Sequence, residues 1–376
     1  MRADIIAELG LDPDVINLNH GAFGCVPIAV RQAVARTQER CERNPNRFFM
    51  DEVRELIASA RVRAAGFLGL DPDECALVRN VSEGVSAVLG SLELAAGDEV
   101  VVNNHGYAAV RLAVEHWVAR RGVVLVTADF ALGAADEEIV AAYAAVCGPR
   151  TRLAVVDQIT SPTATVLPVS AIAAGVGPPV LVDAAHVPGT LRTDIVALGA
   201  AYWIGNLHKW GFVPRGSAVL WSCDAVRDAT YPSVLSWQVA DGYSRSFDFP
   251  GTDDYTGWIS IPTGLDFWAS LGGWDSVAQQ SALGAKGQQL VADAVDTPVA
   301  GLPPTPAPTM RLVRLPERLA AGPEQTAAVS NRLSSEHAIE TVPVWFAGRP
   351  FLRIAAAAYN TIGDYEALGR ALVAAC

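Results

Sequence analysis

PPVLVDAAHVPG, residues 178–189, is a short apolar run that ends in an acid, Asp183, and a histidine, His186. It reads as a buried strand with polar residues at its carboxyl end. Upstream, RLAVVDQITSPTATVLP (152–168) reads the same way, an apolar strand that ends in a polar SPT loop holding Ser161. Further upstream come CALV before a helix at 81–92, a strand at 99–102 before a helix at 108–120, and GVVLVTAD (122–129) before a helix at 135–147. Strands that alternate with helices predict a mostly parallel sheet covered on both faces. Ligands in such sheets collect at the carboxyl ends of the strands. Ser82, His105, Ser161, Asp183 and His186 all fall at those ends.

Downstream lies AYWIGNLHKWGFVPRGSAVLWS, residues 201–222. The chain has only two lysines, Lys209 and Lys286, and abundant arginine. Arginine is always protonated, whereas a desolvated lysine amine can lose its proton and attack a carbonyl. An ordinary exposed lysine is the competing reading of Lys209. Asp183 by itself reads equally well as a turn cap, Ser82 as a helix N-cap, and His186 as a satisfied polar residue. Together they fit one chemistry. Pyridoxal phosphate (PLP) needs a lysine for its aldehyde, an anion for its ring nitrogen and donors for its phosphate. Ser82, His208 and the backbone near Gly84 at a helix start suit the phosphate. Four of the six histidines, at 20, 105, 186 and 208, lie in the strand-end loops or at the lysine turn.

Size and composition bound the alternatives. The chain has 376 residues, is 51% hydrophobic and 18% charged, and carries a formal net charge of −12. That predicts a globular protein of roughly two domains and argues against non-specific binding to nucleic acid or to an anionic membrane. No apolar run reaches the ~18 residues of a membrane span, and the first residues lack the apolar core of a secretory signal. Cysteines at 25, 41, 75, 147, 223 and 376 are scattered without close pairing. That predicts free thiols in a reducing cytoplasm, with Cys25 in the core.

The remaining segments follow. Residues 1–18 predict a helix and a loop. In NHGAFG (19–24) two glycines allow a sharp turn and close approach to a ligand. Pro27 opens a helix that NPNRFF (44–49) breaks, and another spans about 51–68. Residues 169–175 predict a short helix. Residues 223–262 are loop-rich and aromatic over 236–258, which suggests a bulky substrate. One helix is expected over about 261–294. A proline-rich break at 294–316 leads to a smaller domain with a helix at 323–336, a strand starting at 351 and a last helix at 361–375.

The chain resembles fold-type I PLP enzymes of the class V aminotransferase group, within its isopenicillin N epimerase-like branch. The shared stretches are LNHGAFG (18–24), NPNRFF (44–49), NVSEGVS (80–86), VDAAHVPG (182–189), GNLHKW with PRGSAVLW (205–221), GTDDYTGW (251–258) and LRIAAAAYNT (352–361). The resemblance implies an α/β fold with a mostly parallel, seven-stranded-type sheet between helices and a smaller C-terminal α+β domain. The divisions would be an N-terminal arm (1–20), a large PLP domain (21–262) and a linking helix with the small domain (263–376). Lys209 would hold the cofactor aldehyde, Asp183 the pyridine nitrogen, and His186 the phenolic oxygen with Ser161 nearby. His105 would stack on the ring, with Tyr107 as the second choice. Ser82, the Glu83 backbone, Asn206 and His208 would hold the phosphate. Thr252 would reach the phosphate of a neighbouring subunit, which makes the site that of a homodimer. Arg353 would grip the substrate carboxylate, and Asn19, His20, Gly21, Arg47 and Phe48 would line the substrate side.

The expected reaction is loss of the Cα proton to Lys209 from an amino-acid-bearing small molecule of secondary metabolism, followed by C–S β-elimination. Epimerisation is the alternative and needs a second donor, Tyr107, His20 or a water. Decarboxylation-coupled oxidative deamination and a non-catalytic PLP-binding role are further alternatives. No cysteine lies between Ala338 and Leu352, where a cysteine desulfurase carries its nucleophile.

Overall fold

The strands of the computed structural model, which describes residues 2–374, are β1 (Ile16–Asn17), β2 (Cys75–Val78), β3 (Glu99–Asn103), β4 (Val124–Ala128), β5 (Thr151–Asp157), β6 (Val180–Asp183), β7 (Tyr202–Asn206), β8 (Ala218–Ser222), β9 (Met310–Arg314), β10 (Ile339–Glu340), β11 (Val342–Phe346) and β12 (Arg349–Ala355). Seven of them form one sheet in the order β2-β8-β7-β6-β5-β3-β4. Only β8 runs against its neighbours, pairing antiparallel with both β7 and β2. Successive residues of each strand face opposite sides of a pleated sheet, and the core divides accordingly. Ala154, Val156, Val182 and Trp203 pack into one cluster, and Leu153, Val155, Leu181, Tyr202 and Ile204 into another. Both faces are therefore buried beneath helices, which is why these strands read as continuous apolar runs. The expected α/β fold with a mostly parallel central sheet is what the chain adopts.

A second, antiparallel sheet of order β11-β12-β9 packs with the helices Gly273–Ala294, Pro323–His337 and Ile362–Ala374. Its core is separate and includes Val291, Val313, Leu352, Tyr365 and Leu368. Leu18 belongs to that core, and β1 pairs in parallel with β10, so the start of the chain is stitched to the C-terminal part. Cys376 and the end of the helix expected at 361–375 lie outside the described residues. No described helix is long and apolar enough to cross a membrane.

Local expectations need three corrections. The helix expected over 261–294 is two helices, Ile261–Ser270 and Gly273–Ala294. Gly272, between them, and Gly273, the first residue of the second, sit at φ +97° and +54°, the left-handed region where glycine is unpenalised and a helix stops. The run 152–168 is strand only as far as Asp157, because the polar residues after it turn away to form the site loop. The NPNRFF break contains a short helical turn, Pro45–Arg47, and then a wide turn, Phe48–Glu52, that leads directly into the helix Val53–Leu68.

The NHGAFG loop folds as a single helical turn, His20–Phe23, ended by Gly24 at φ 61° and ψ −174°. That region of backbone space is essentially confined to glycine. A Cβ on Gly24 would lie 2.1 Å from the carbonyl oxygen of His208 and 2.7 Å from that of Lys209. Arg215 closes the same contact by donating to the carbonyls of Phe23 and Gly24, each at 3.1 Å. The glycine thus lets this loop rest directly on the backbone of the lysine turn. A Gly24→Ala protein is expected to lose roughly 2–5 kcal/mol, from left-handed strain plus overpacking. Chemical denaturation checks this, and a loss below about 1 kcal/mol would mean that the two loops separate freely.

Candidate active site

Five groups converge where the parallel strands end. Asp183 closes β6, the loop after it carries His186, and the turn after β7 carries Lys209. The loop after β5 carries Ser161, and β12 brings Arg353 from the second sheet. Lys209 is buried, with Nζ 3.0 Å from His186 Nε2. His186 Nε2 lies 3.4 Å from Ser161 Oγ, and Arg353 Nη1 donates to that same Oγ at 3.1 Å and to the Ser161 carbonyl. The chain Lys209–His186–Ser161–Arg353 links the buried amine to the buried guanidinium.

Burial and neighbouring charge set the protonation states. Desolvation, reinforced by the positive charge of Arg353 and opposed by Asp183, pulls the Lys209 amine down to about 7. Desolvation first, and then Lys209 and Arg353, push His186 well below the ordinary histidine value, so its ring is neutral. Burial raises the Asp183 carboxyl against the pull of the Ala185 amide and Lys209. Asp183 Oδ1 accepts from the Ala185 N–H at 2.9 Å, while Oδ2 is buried with no hydrogen-bond partner among the described residues. His186 Nδ1 and Ser217 Oγ are orphaned in the same way. Native interiors rarely leave a carboxylate oxygen unpaired. A buried unpaired carboxylate oxygen beside a half-neutral lysine fits a protonated pyridine nitrogen and an aldehyde, so the residues fit PLP.

The helix Val81–Ser91 starts beneath the end of β7, and its details differ from expectation. The cap is Asn80, not Ser82: Asn80 Oδ1 accepts from the Glu83 N–H at 2.9 Å. The Glu83 backbone donor expected for the phosphate is therefore already engaged, and its carboxylate accepts in return from the Arg79 N–H. Asn206 Oδ1 accepts from the Val81 N–H at 3.0 Å, so this side chain fastens the helix start to the sheet. Ser82 lies on that first turn, half-buried. His208 is held through Nδ1, 3.2 Å from the Ser217 carbonyl oxygen, and burial foremost keeps it neutral, near 4.

The two candidate rings of the loop 103–107 face different ways. His105 is buried, 2.8 Å from Thr163 Oγ1 and 3.1 Å from the Phe130 carbonyl oxygen, and stacks on Phe130 with centroids 4.3 Å apart. Both its ring nitrogens are used inside the protein. Tyr107 is the ring that faces the lysine, its centroid 5.9 Å from Lys209 Nζ.

A cavity of about 510 Å³ opens from Lys209, lined by Asn19, Gly21, Tyr107, Ser161, Trp345 and Arg353 among others. His20 is not on its wall. It sits behind Lys209 in a cage of Trp210, Phe212 and Tyr359, with Nδ1 3.2 Å from the tyrosine hydroxyl. Cys25, 3.7 Å from His20, is buried, and desolvation pushes its thiol up to about 12. Arg47 is exposed and paired with Glu52 at 2.9 Å, and Phe48 is packed in the main core, so neither lines the cavity. Thr252 is exposed and away from the lysine cavity. The aromatic stretch 231–258 contributes nothing to this cavity either.

Asp157 is a further buried acid at the strand ends that the sequence reading does not include. It ends β5 in register with Asp183 at the end of β6. Burial and the Asp183 charge raise its pKa strongly. Its Oδ2 accepts from Asn103 Nδ2 at 2.8 Å; the same amide donates to the Tyr143 hydroxyl at 2.9 Å, and Asn103 Oδ1 accepts from the His105 N–H at 2.8 Å. Asp157 and Asn103 therefore hold the loop that presents Tyr107. The available signal was two apolar runs that both end in aspartate, VVD (155–157) and LVD (181–183).

Comparison with known proteins places this geometry. The family profile of class-V aminotransferases matches residues 26–297. Isopenicillin N epimerase of Amycolatopsis lactamdurans is 31% identical over 97% of this chain and 96% of its own length. A probable chloroplastic L-cysteine desulfhydrase of Arabidopsis thaliana is 30% identical over 96% of this chain and 83% of its own. Among solved structures, the cystine C–S lyase C-DES in complex with cysteine persulfide superposes with a TM-score of 0.80, at 20% identity, over 96% of this chain and 98% of the other. A mutant of C-DES with glycine covalently linked to its PLP cofactor gives 0.81, at 19% identity and 98% coverage of both chains. The solved structures share the fold, while the profile and the relatives near 30% identity establish kinship, so this chain belongs to the class-V aminotransferase family and is a PLP-dependent enzyme.

Proposed function

We propose that the protein catalyses C–S β-elimination of a cysteine conjugate, with Lys209 as the base. The observation that carries the reading is the pairing of one buried amine near pH 7 with the Arg353 fork at the opposite end of the Lys209–His186–Ser161 chain. Lys209 would hold the cofactor, with Asp183 Oδ2 on its ring nitrogen and the His186–Ser161 pair on its phenolic side. Ser82 and His208 would flank the phosphate, and Tyr107, rather than His105, would cover the ring. When bound, PLP supplies an electron sink for the pair released at Cα. Arg353 holds the substrate carboxylate through two parallel donors, which orients the Cα–H bond toward Nζ. The amine takes the proton, the electron pair expels the thiolate from Cβ, and hydrolysis of the remainder gives pyruvate and ammonia. No net oxidation occurs.

Relatives that bear epimerase and desulfhydrase names support both reactions. Elimination needs one base. Epimerisation needs a second donor on the opposite face, and Tyr107 on the cavity wall is the side chain that favours it as the second reading. Purified enzyme given S-substituted L-cysteines in deuterated water separates them. Equimolar thiol and pyruvate support elimination, whereas a racemised, Cα-deuterated amino acid without pyruvate rejects it.

We further propose a homodimer of the cytoplasm in which the exposed Thr252 completes the neighbouring copy's phosphate site. Sedimentation velocity at micromolar concentration tests this, and a monomer there would reject it. Arg353→Lys is expected to raise KM at least tenfold with a smaller change in kcat, because an ammonium cannot reproduce the planar fork. Steady-state kinetics check this; an unchanged KM would show that the carboxylate binds elsewhere.

A further inference from the structure

The cavity beyond Lys209 is the substrate side, because Asp183, His186, Asn206 and His208 do not line it whereas Arg353 does. Its far wall is the hairpin of β11 and β12. Val342 lies directly opposite Arg353 in the register, and Val344 stands two residues on, facing the same side. Trp345 is 36% exposed at the mouth, and across from it Phe23 and Tyr107 are 71% and 44% exposed. Aromatic side chains gathered on the wall of one cavity suit an apolar ligand group. Among the described residues the charged side chains on the wall are Lys209 and Arg353, and the proposed chemistry commits both, one to the cofactor and one to the α-carboxylate. The volume of about 510 Å³ lies within the range of pockets that hold drug-sized molecules. The Lys209–Tyr107–Ser161 side of that volume falls to the cofactor, and the side walled by β11 is left for whatever lies beyond Cβ. A second ammonium or carboxylate, as at the far end of cystine, would find the neutral polar groups of Asn19 and Thr341 but, among the described residues, no uncommitted side chain of opposite charge, and a buried charge without one is costly.

We propose that the substrate carries an uncharged, apolar group beyond Cβ, an aryl or branched alkyl thioether, and that L-cystine and free L-cysteine are poor substrates. This rests on the Lys209–Arg353 reading above and narrows it to a chemical class. Two probes that cannot eliminate, L-homophenylalanine and L-2-aminobutyrate, isolate recognition from reaction. Their dissociation constants for the holoenzyme are read from the change in the cofactor's absorption. Burying a phenyl group predicts roughly tenfold or more tighter binding of homophenylalanine. The preference should shrink at least about threefold in Trp345→Ala and, should that variant not fold, in Phe23→Ala, whose side chain is largely exposed. Turnover of S-benzyl-L-cysteine, L-cystine and L-cysteine is followed by pyruvate in parallel. Equal binding of the two probes, or kcat/KM for cystine equal to that for S-benzyl-cysteine, overturns the proposal. Tight homophenylalanine binding without pyruvate from S-benzyl-cysteine would sustain the substrate class while rejecting elimination. Pyruvate released equally from all three would do the reverse.

Discussion

A Lys209→Ala protein is expected to take up PLP without covalent capture and to turn over at least about 10²–10⁴-fold more slowly, the loss that accompanies removal of a positioned base. Borohydride treatment of the wild-type holoenzyme should fix the cofactor at Lys209 and nowhere else; a label at Lys286 would overturn the assignment. The fold should tolerate the change, because Lys209 is desolvated at a cost to itself and its removal relieves that cost. The same desolvation gives a pH signature in the apoprotein. Burial lowers the amine to about 7, so the neutral, nucleophilic form accumulates as pH rises to that value and is nearly complete a unit or so above it. The rate of aldehyde capture should therefore rise to about pH 7–8 and level off, where an exposed lysine would go on gaining until about 10.4. Stopped-flow absorbance on apoprotein mixed with PLP measures the profile, and a rate still climbing steeply above pH 9 would show that the amine is solvated.

Replacing Asp183 should be the next most damaging change, and its contrast with Asp157 is the sharper test. Asp183→Asn removes the negative charge at the unpaired Oδ2 and is expected to lower kcat by about 10²–10³-fold, the scale of losing one preorganised electrostatic partner. It also relieves the repulsion between two buried carboxyls in adjacent strands. Stability above neutral pH should therefore be equal to that of the wild type or higher. Asp157 is the member of the pair that burial and its neighbour hold in the protonated form. An asparagine there keeps an acceptor for Asn103 and a donor in place of the acid proton, so Asp157→Asn should keep the fold, PLP affinity within about threefold and most of the activity. Asp157→Ala leaves the Asn103 amide short of one buried acceptor, at about 1–3 kcal/mol, and loosens the loop that carries Tyr107. The sign of the pH dependence follows: the raised Asp157 carboxyl favours the fold at low pH, and that contribution is lost as pH rises through the raised value. Thermal unfolding of the three apoproteins between pH 6 and pH 9 measures this. Equal stability losses in Asp157→Asn and Asp157→Ala would mean that the group is charged.

Lys209, Asp183, His186 and Arg353 stand in short motifs of the sequence, and the fold brings these four side chains together. Residues whose surroundings depend on which way a backbone turns were not legible: His105 and Tyr107 are two residues apart on one loop, and Thr163, Phe130 and Phe346, which arrive from distant parts of the chain, enclose the histidine and leave the tyrosine facing Lys209. His20 belongs to a motif at the site, yet its ring turns into an aromatic cage. The Glu83 N–H bonds to Asn80 and Asn206 Oδ1 accepts from the Val81 N–H, contacts at the helix start that no local pattern announces. Asp157 carries no local signal of its own, because its partner is 26 residues away and becomes a neighbour only through the order of the strands.

Alternating apolar runs and helical segments, read without coordinates, already determined a mostly parallel sheet with its polar residues at the strand ends, because burial on both faces demands continuous apolar strands. The lysine–aspartate pair likewise pointed to the cofactor from residue chemistry alone. Tertiary structure alone decided which side chains share the cavity and how they are protonated. Strand order sets which loop ends touch, and burial depth sets the free energy of a charge; neither quantity is carried by the local sequence.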